Sequence, residues 1–241
     1  MHYLLNLAIA SSLLLTIALP SPSIPNDVNK ETFTKRLENA LNTKDLSLLT
    51  DILTKQDELT LKNRYSKFIN IFPNASWKIQ EAKPLKDGRH SLTIFISGEK
   101  QLEDEKYTIK SKQIYAFKSF KGQIVNKELM SEETIIQNGE NPLEISINVP
   151  DTVLTGSNYD FDIIINKPIG NAIIAGALIP ISQEQIDNQI SPNINLAPLG
   201  GGGIFKSIKA PKSEGMQNFS AILAHPGGLI SITKRIKVAS N

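Results

Sequence analysis

Two side chains in the first half of the chain have the types needed for proton transfer. Glu81 follows Trp77 and Ile79 on the same parity of one alternating segment, and His90 opens the next segment on the parity of Leu92, Ile94 and Ile96. Successive strand residues point to opposite faces, so both groups project with apolar neighbours. A carboxylate beside an imidazole in an apolar cleft makes a tuned general base. Yet both stand at strand ends next to the turn at 83–88, where water screens them and large burial shifts do not develop. The sequence therefore assigns no catalytic residue, Glu81 and His90 being the candidates it offers. Glu81→Gln and His90→Gln are expected to leave folding and any binding nearly unchanged.

Other motifs carry less chemistry. The run Gly200-Gly201-Gly202-Gly203 lacks the Lys-Ser/Thr ending of a phosphate loop and leads into Ile204 and Phe205, so it reads as a flexible approach to a strand. His225 has no second histidine at metal-ligand spacing. Asp160 and Asp162 lack the glycine and bidentate glutamate of a calcium loop. No metal site and no cofactor are expected. Lys106, Lys110 and Lys112 share one strand face, which reads as a solvent side that discourages edge aggregation, with docking of an anionic surface as the alternative. Asn74-Ala75-Ser76 and Asn218-Phe219-Ser220 match glycosylation sequons.

The elements that position these residues follow from periodicity. Phe33, Leu37, Ala40 and Leu41 predict a helix over 29–41; Leu46, Leu49, Ile52 and Leu53 predict a second, short one capped by Asp45. Leu61, Tyr65, Phe68, Ile69 and Phe72 predict a third between Asp57 and Pro73. The period then becomes alternating over 76–82, 90–97, 106–118 and 123–130, with turns at 86–88, 98–103 and 120–122, which reads as an antiparallel meander. The polar break 137–142 marks a domain boundary, after which alternation over 143–149, 159–165, 172–181, 193–197, 204–208, 216–224 and 229–238 predicts seven short strands. Only 183–189 there has a helical period. The fold class expected is thus an α+β N-terminal domain over 27–138, three helices packed on an antiparallel meander, plus an all-β immunoglobulin-like sandwich over 142–240. Each half is expected to fold when expressed alone.

Helices followed by a meander over 30–136 resemble the cone-shaped domain of the nuclear transport factor two-like superfamily. Val149-Pro150 through Gly156, Tyr159-Asp160-Phe161 and the later glycine turns resemble bacterial immunoglobulin-like modules, without the cysteine pair or buried Trp of antibody domains. The first resemblance implies a pocket between helices and sheet, which Tyr65, Trp77, Tyr107 and Tyr115 would line. It also implies that isomerase, hydratase or cyclase chemistry is the alternative to binding. Neither resemblance conveys a reaction, since both folds host unrelated activities.

Met1 to Leu19 is apolar apart from His2, Asn6, Ser11, Ser12 and Thr16, and runs into Pro20-Ser21-Pro22-Ser23, which reads as a secretory leader within 1–23. Cleavage before Ile24 is expected, with membrane anchoring through 3–19 as the alternative. Twenty-six Lys and Arg against 24 Asp and Glu leave too small an excess for a nucleic-acid footprint. The absence of cysteine rules out disulfides, thiol chemistry and thiolate metal sites. The reading is an exported, periplasmic or extracellular, non-catalytic module that binds a small ligand or a protein, with a structural envelope-associated role as a further alternative.

Overall fold

The computed structural model describes residues 30–139, 143–167, 170, 172–188, 190–200 and 202–240. The leader expected over 1–23 lies outside the described residues. Among those that are described, no helix is long and apolar enough to cross a membrane.

Two α-helices open the described chain, α1 (Lys30–Thr43) and α2 (Lys55–Ile71). The second helix expected between them is a single 3-10 turn, Leu46–Leu49, in which Asp45 accepts from the Ser47 N–H. Too few residues separate Asp45 from Thr54, the N-cap of α2, for helix propagation to offset its nucleation cost. Four strands follow: β1 (Ser76–Ala82), β2 (His90–Leu102), β3 (Glu105–Phe120) and β4 (Gln123–Asn138). After them come β5 (Ile145–Asn148), β6 (Thr152–Leu154), β7 (Asn158–Ile165), β8 (Ala175–Pro180), helix α3 (Gln183–Asp187), β9 (Ala197–Pro198), β10 (Gly203–Lys209), β11 (Gly215–His225) and β12 (Gly228–Ala239).

The expected fold class, a helix-on-meander α+β domain followed by a self-contained immunoglobulin-like sandwich, is overturned. Of the described residues 52% are strand and 18% helix. Nine strands form one sheet in the order β1-β2-β3-β4-β12-β11-β8-β9, with β6 parallel to β12. The decisive element is β4, which the periodicity ended at Met130 but which continues to Asn138. Its last turnless stretch pairs with β12 from Ser131↔Ile236 to Gln137↔Ile230. Polar residues on both parities of 131–138 disguised that extension, because the buried partners that balance them lie about 100 residues away, as in Lys234 with Glu133. The turn expected at 98–103 is likewise tighter, since β2 runs on to Leu102 and reverses through Glu103, whose φ of 52° is left-handed.

The chain divides into two compact units whose division falls inside β2, β3 and β4. In the first, 30–100 with 110–130, the Tyr65 ring lies 5.4 Å from Trp77 and Phe68 lies 5.6 Å from it. The outer edge of β1 is covered by α1 side chains: Asn42 exchanges two hydrogen bonds with the Trp77 backbone, and Glu38 accepts from the Ile79 N–H at 2.6 Å. These satisfy groups that an open edge would leave to recruit another strand. In the second, 101–109 with 131–240, a three-stranded sheet β10-β7-β5 shares an apolar core with β11 and β12, centred on Phe161, Ile163, Phe219, Leu223 and Ile232.

Candidate functional site

Glu81 and His90 are brought together. They line one cleft in the first unit with Thr34, Ala82, Pro84, Ser91, Leu92 and Phe117, and its volume is about 60 Å³. Glu81 is exposed and His90 half-buried, its ring 5.4 Å from Phe117. The cleft has room for a few waters and none for a metabolite, since ligand pockets run to hundreds of cubic ångströms. Glu81→Gln is therefore expected to change stability by less than about 0.5 kcal/mol, read from a urea midpoint. A loss well beyond that would place the carboxylate in a structural role.

The four aromatic residues expected to line a pocket lie elsewhere. Tyr65, Trp77, Tyr107 and Tyr115 are all buried, and none borders either cavity described here. Tyr65 donates its hydroxyl proton to the Leu41 carbonyl at 2.6 Å, and burial raises its phenol above the usual value. Tyr115 donates to Gln113 Oε1 at 3.3 Å. Tyr107 donates to Glu105 Oε2 at 2.6 Å, as does Asn138, and these two donors hold that carboxyl below its ordinary range. The three tyrosines are packing residues whose hydroxyls are already committed, while Trp77 Nε1 is buried with no hydrogen-bond partner among the described residues.

A larger cavity, about 640 Å³, opens in the second unit. Ile165, Ile173, Ile174 and Leu199 supply its apolar wall, while Asn166, Lys167, Gly200 and Gly202 bring polar and backbone groups to it. Ile173 stands 75% exposed there. Lys167 is paired with Glu144 at 2.7 Å, both side chains open to water. Such a pair is worth no more than about 1 kcal/mol, so an incoming anion can take the glutamate's place. The sequence marked this region by its glycine run alone and attached no site to it.

The strongest electrostatic feature was also missed. Arg235 and Glu132 keep 4% and 0% exposure and face each other across β12 and β4, with Nη1 3.5 Å from Oε2. Arg235 also donates to Asn218 Oδ1 at 3.1 Å and to Gln183 Oε1 at 3.0 Å, and Thr134 donates to Glu132 Oε1 at 3.0 Å. Asn218 is thus buried in an ion-pair network, which closes that sequon to a glycan. Among the described residues no cluster of three or more His, Asp and Glu is placed to hold a metal.

His225 ends β11 at the turn into β12, where Nδ1 accepts from the Gly227 N–H at 3.1 Å. Nε2 is buried with no hydrogen-bond partner among the described residues, and burial pushes the imidazole below its ordinary 6.5. The unfolded chain therefore takes up this proton more readily. Its contribution to stability is complete above about pH 6.5 and lost as pH falls through the depressed folded value. A lower denaturation midpoint at about pH 5 than at about pH 7.5 is expected, with that difference reduced in His225→Asn. An equal difference in the variant would assign the pH dependence to other groups.

Residues 140–239 match a protein family described as "Domain of unknown function (DUF8623)", a stretch that contains the cavity, His225 and β5 to β12. No curated protein matches the chain.

Proposed function

We propose that this chain is an exported, non-catalytic binding module and that its ligand sits in the cavity of the second unit. The observation that carries the reading is the contrast in room. The cleft holding Glu81 and His90 has about 60 Å³, whereas the cavity beside Lys167 has about 640 Å³ and an aliphatic wall. Small-molecule sites are concave and mostly apolar with a few placed polar groups, and the second cavity has that composition. Among the described residues its lining carries one titratable group, Lys167, whose carboxylate partner Glu144 is open to water, which supports binding rather than proton transfer. The chemistry that fits is an apolar body carrying one anionic group, the body against Ile173, Ile174 and Leu199 and the anion at Lys167.

Anilinonaphthalene sulfonate has that chemistry and serves as the probe. Saturable binding to the folded chain is expected, weakened at least about tenfold by Ile173→Glu, a change of roughly 1.4 kcal/mol or more. Ile173 is too exposed for the substitution to disturb the core, and an unchanged urea midpoint checks this. Absence of saturable binding, or equal affinity in the variant, would overturn the reading.

A further inference from the structure

Lys234 lies on β12 on the parity of Ile232 and Ile236, and only 2% of its surface meets solvent. Its Nζ is 2.9 Å from Asp151 Oδ1 and 3.1 Å from Glu133 Oε2. Three separate segments fix these groups. Glu133 is the direct cross-strand partner of Lys234. Asp151 is held just before β6, where its carbonyl accepts from the Lys237 N–H at 3.1 Å and its Oδ1 accepts from Ser131 Oγ at 2.5 Å. An amine held this close to a carboxyl group, with a second carboxylate in reach of the same nitrogen, has the arrangement needed for amide formation without a cofactor. Fixed geometry of this kind substitutes for very high reactant concentration.

We propose that Lys234 and Asp151 join autocatalytically in an isopeptide bond, with Glu133 as the proton carrier. Transfer of one proton from the ammonium to the Asp151 carboxylate neutralises both groups and leaves the net charge of the cluster unchanged. The amine lone pair then attacks Asp151 Cγ and the Nζ–Cγ bond forms. Glu133 takes the surplus proton from nitrogen and returns it to the departing oxygen. The Cγ–O bond breaks, one water leaves, and Glu133 ends as the carboxylate it began as. No redox partner is involved. The product ties β12 to the chain 83 residues earlier, a covalent loop in a protein that has no cysteine to make one.

Mass spectrometry of the denatured full chain and of its tryptic digest tests this. The expected result is a chain lighter by one water, with the peptide carrying Asp151 joined to that carrying Lys234 and no cleavage after Lys234. Lys234→Met should restore the full mass, and Glu133→Gln, which keeps size and hydrogen bonding, should slow or abolish the loss of water. A folded wild-type chain at full mass, cut by trypsin after Lys234, would overturn the proposal and leave an ion pair only. Because that reading is made on the wild type, it stands even where a variant fails to fold. Complete cross-linking in Glu133→Gln would overturn the role given to Glu133.

Discussion

Glu132→Ala is expected to destabilise the folded chain by about 3–5 kcal/mol, as a urea or guanidinium titration would show. The cost arises from what remains. Arg235 keeps 4% exposure, and the substitution removes the carboxylate that faces its guanidinium, whose bonds to Asn218 and Gln183 go to neutral oxygens. A buried unpaired charge is far costlier than a missing contact. Thr134 loses its bond to Glu132 Oε1 at the same time, a second buried polar contact removed. The double variant Glu132→Leu with Arg235→Met removes both charges and is expected to recover most of the loss, since apolar side chains of similar size commonly replace such pairs at little net cost. If Glu132→Ala alone costs less than about 1 kcal/mol, the pair is as weak as those at protein surfaces and water must reach it.

That network also marks where the sequence stops being readable. Alternation in 159–165 is locally complete: Tyr159, Phe161 and Ile163 are buried and Asp160 is exposed, so β7 needs no distant partner to be recognised. The same holds for β3, where Tyr107, Ile109, Tyr115 and Phe117 face inward and Lys106, Lys110 and Lys112 face water. In Ser131-Glu132-Glu133-Thr134 no parity is apolar. Glu132 belongs inside because Arg235 is there to meet it, and Glu133 because Lys234 is, about 100 residues away. A window of a dozen residues holds no trace of that complementarity. Read locally the segment is a polar linker, and from that one reading came both the meander ending at Met130 and the separate sandwich. The candidate cleft is hidden for a different reason. Parity places Glu81 and His90 with apolar neighbours, but volume is a property of packing, and nothing in strand spacing reports that Thr34 and Phe117 leave only about 60 Å³ there. The larger cavity is walled by residues from three stretches, 165–167, 172–174 and 198–200 with Gly202, which lie apart in sequence, so that no single window shows them meeting.

The same pairing sets the outcome of cutting the chain in two. A fragment beginning at Pro142 is expected not to fold as a monomer, whereas one beginning at Ser131 should regain a cooperative transition, both followed by circular dichroism and size-exclusion chromatography. Without 131–139, the β12 segment from Ile230 to Ile236 loses its neighbour and becomes an open edge whose N–H and C=O groups are bare. Arg235 loses Glu132 on one face of β12, and on the other Lys234 loses Glu133 and keeps its pair with Asp151. Asn138 also goes, and with it the acceptor for the Leu229 N–H at 2.8 Å. These losses exceed the few kcal/mol by which a domain of this size is ordinarily stable. The open edge should instead recruit another copy, so soluble material is expected to be oligomeric. A fragment from Pro142 that ran as a monomer, with the same urea midpoint as the fragment from Ser131, would show that β12 does not need β4. The polar break at 137–142 would then be a true domain boundary, and the nine-stranded sheet an arrangement in which β4 adds no stability to the second unit.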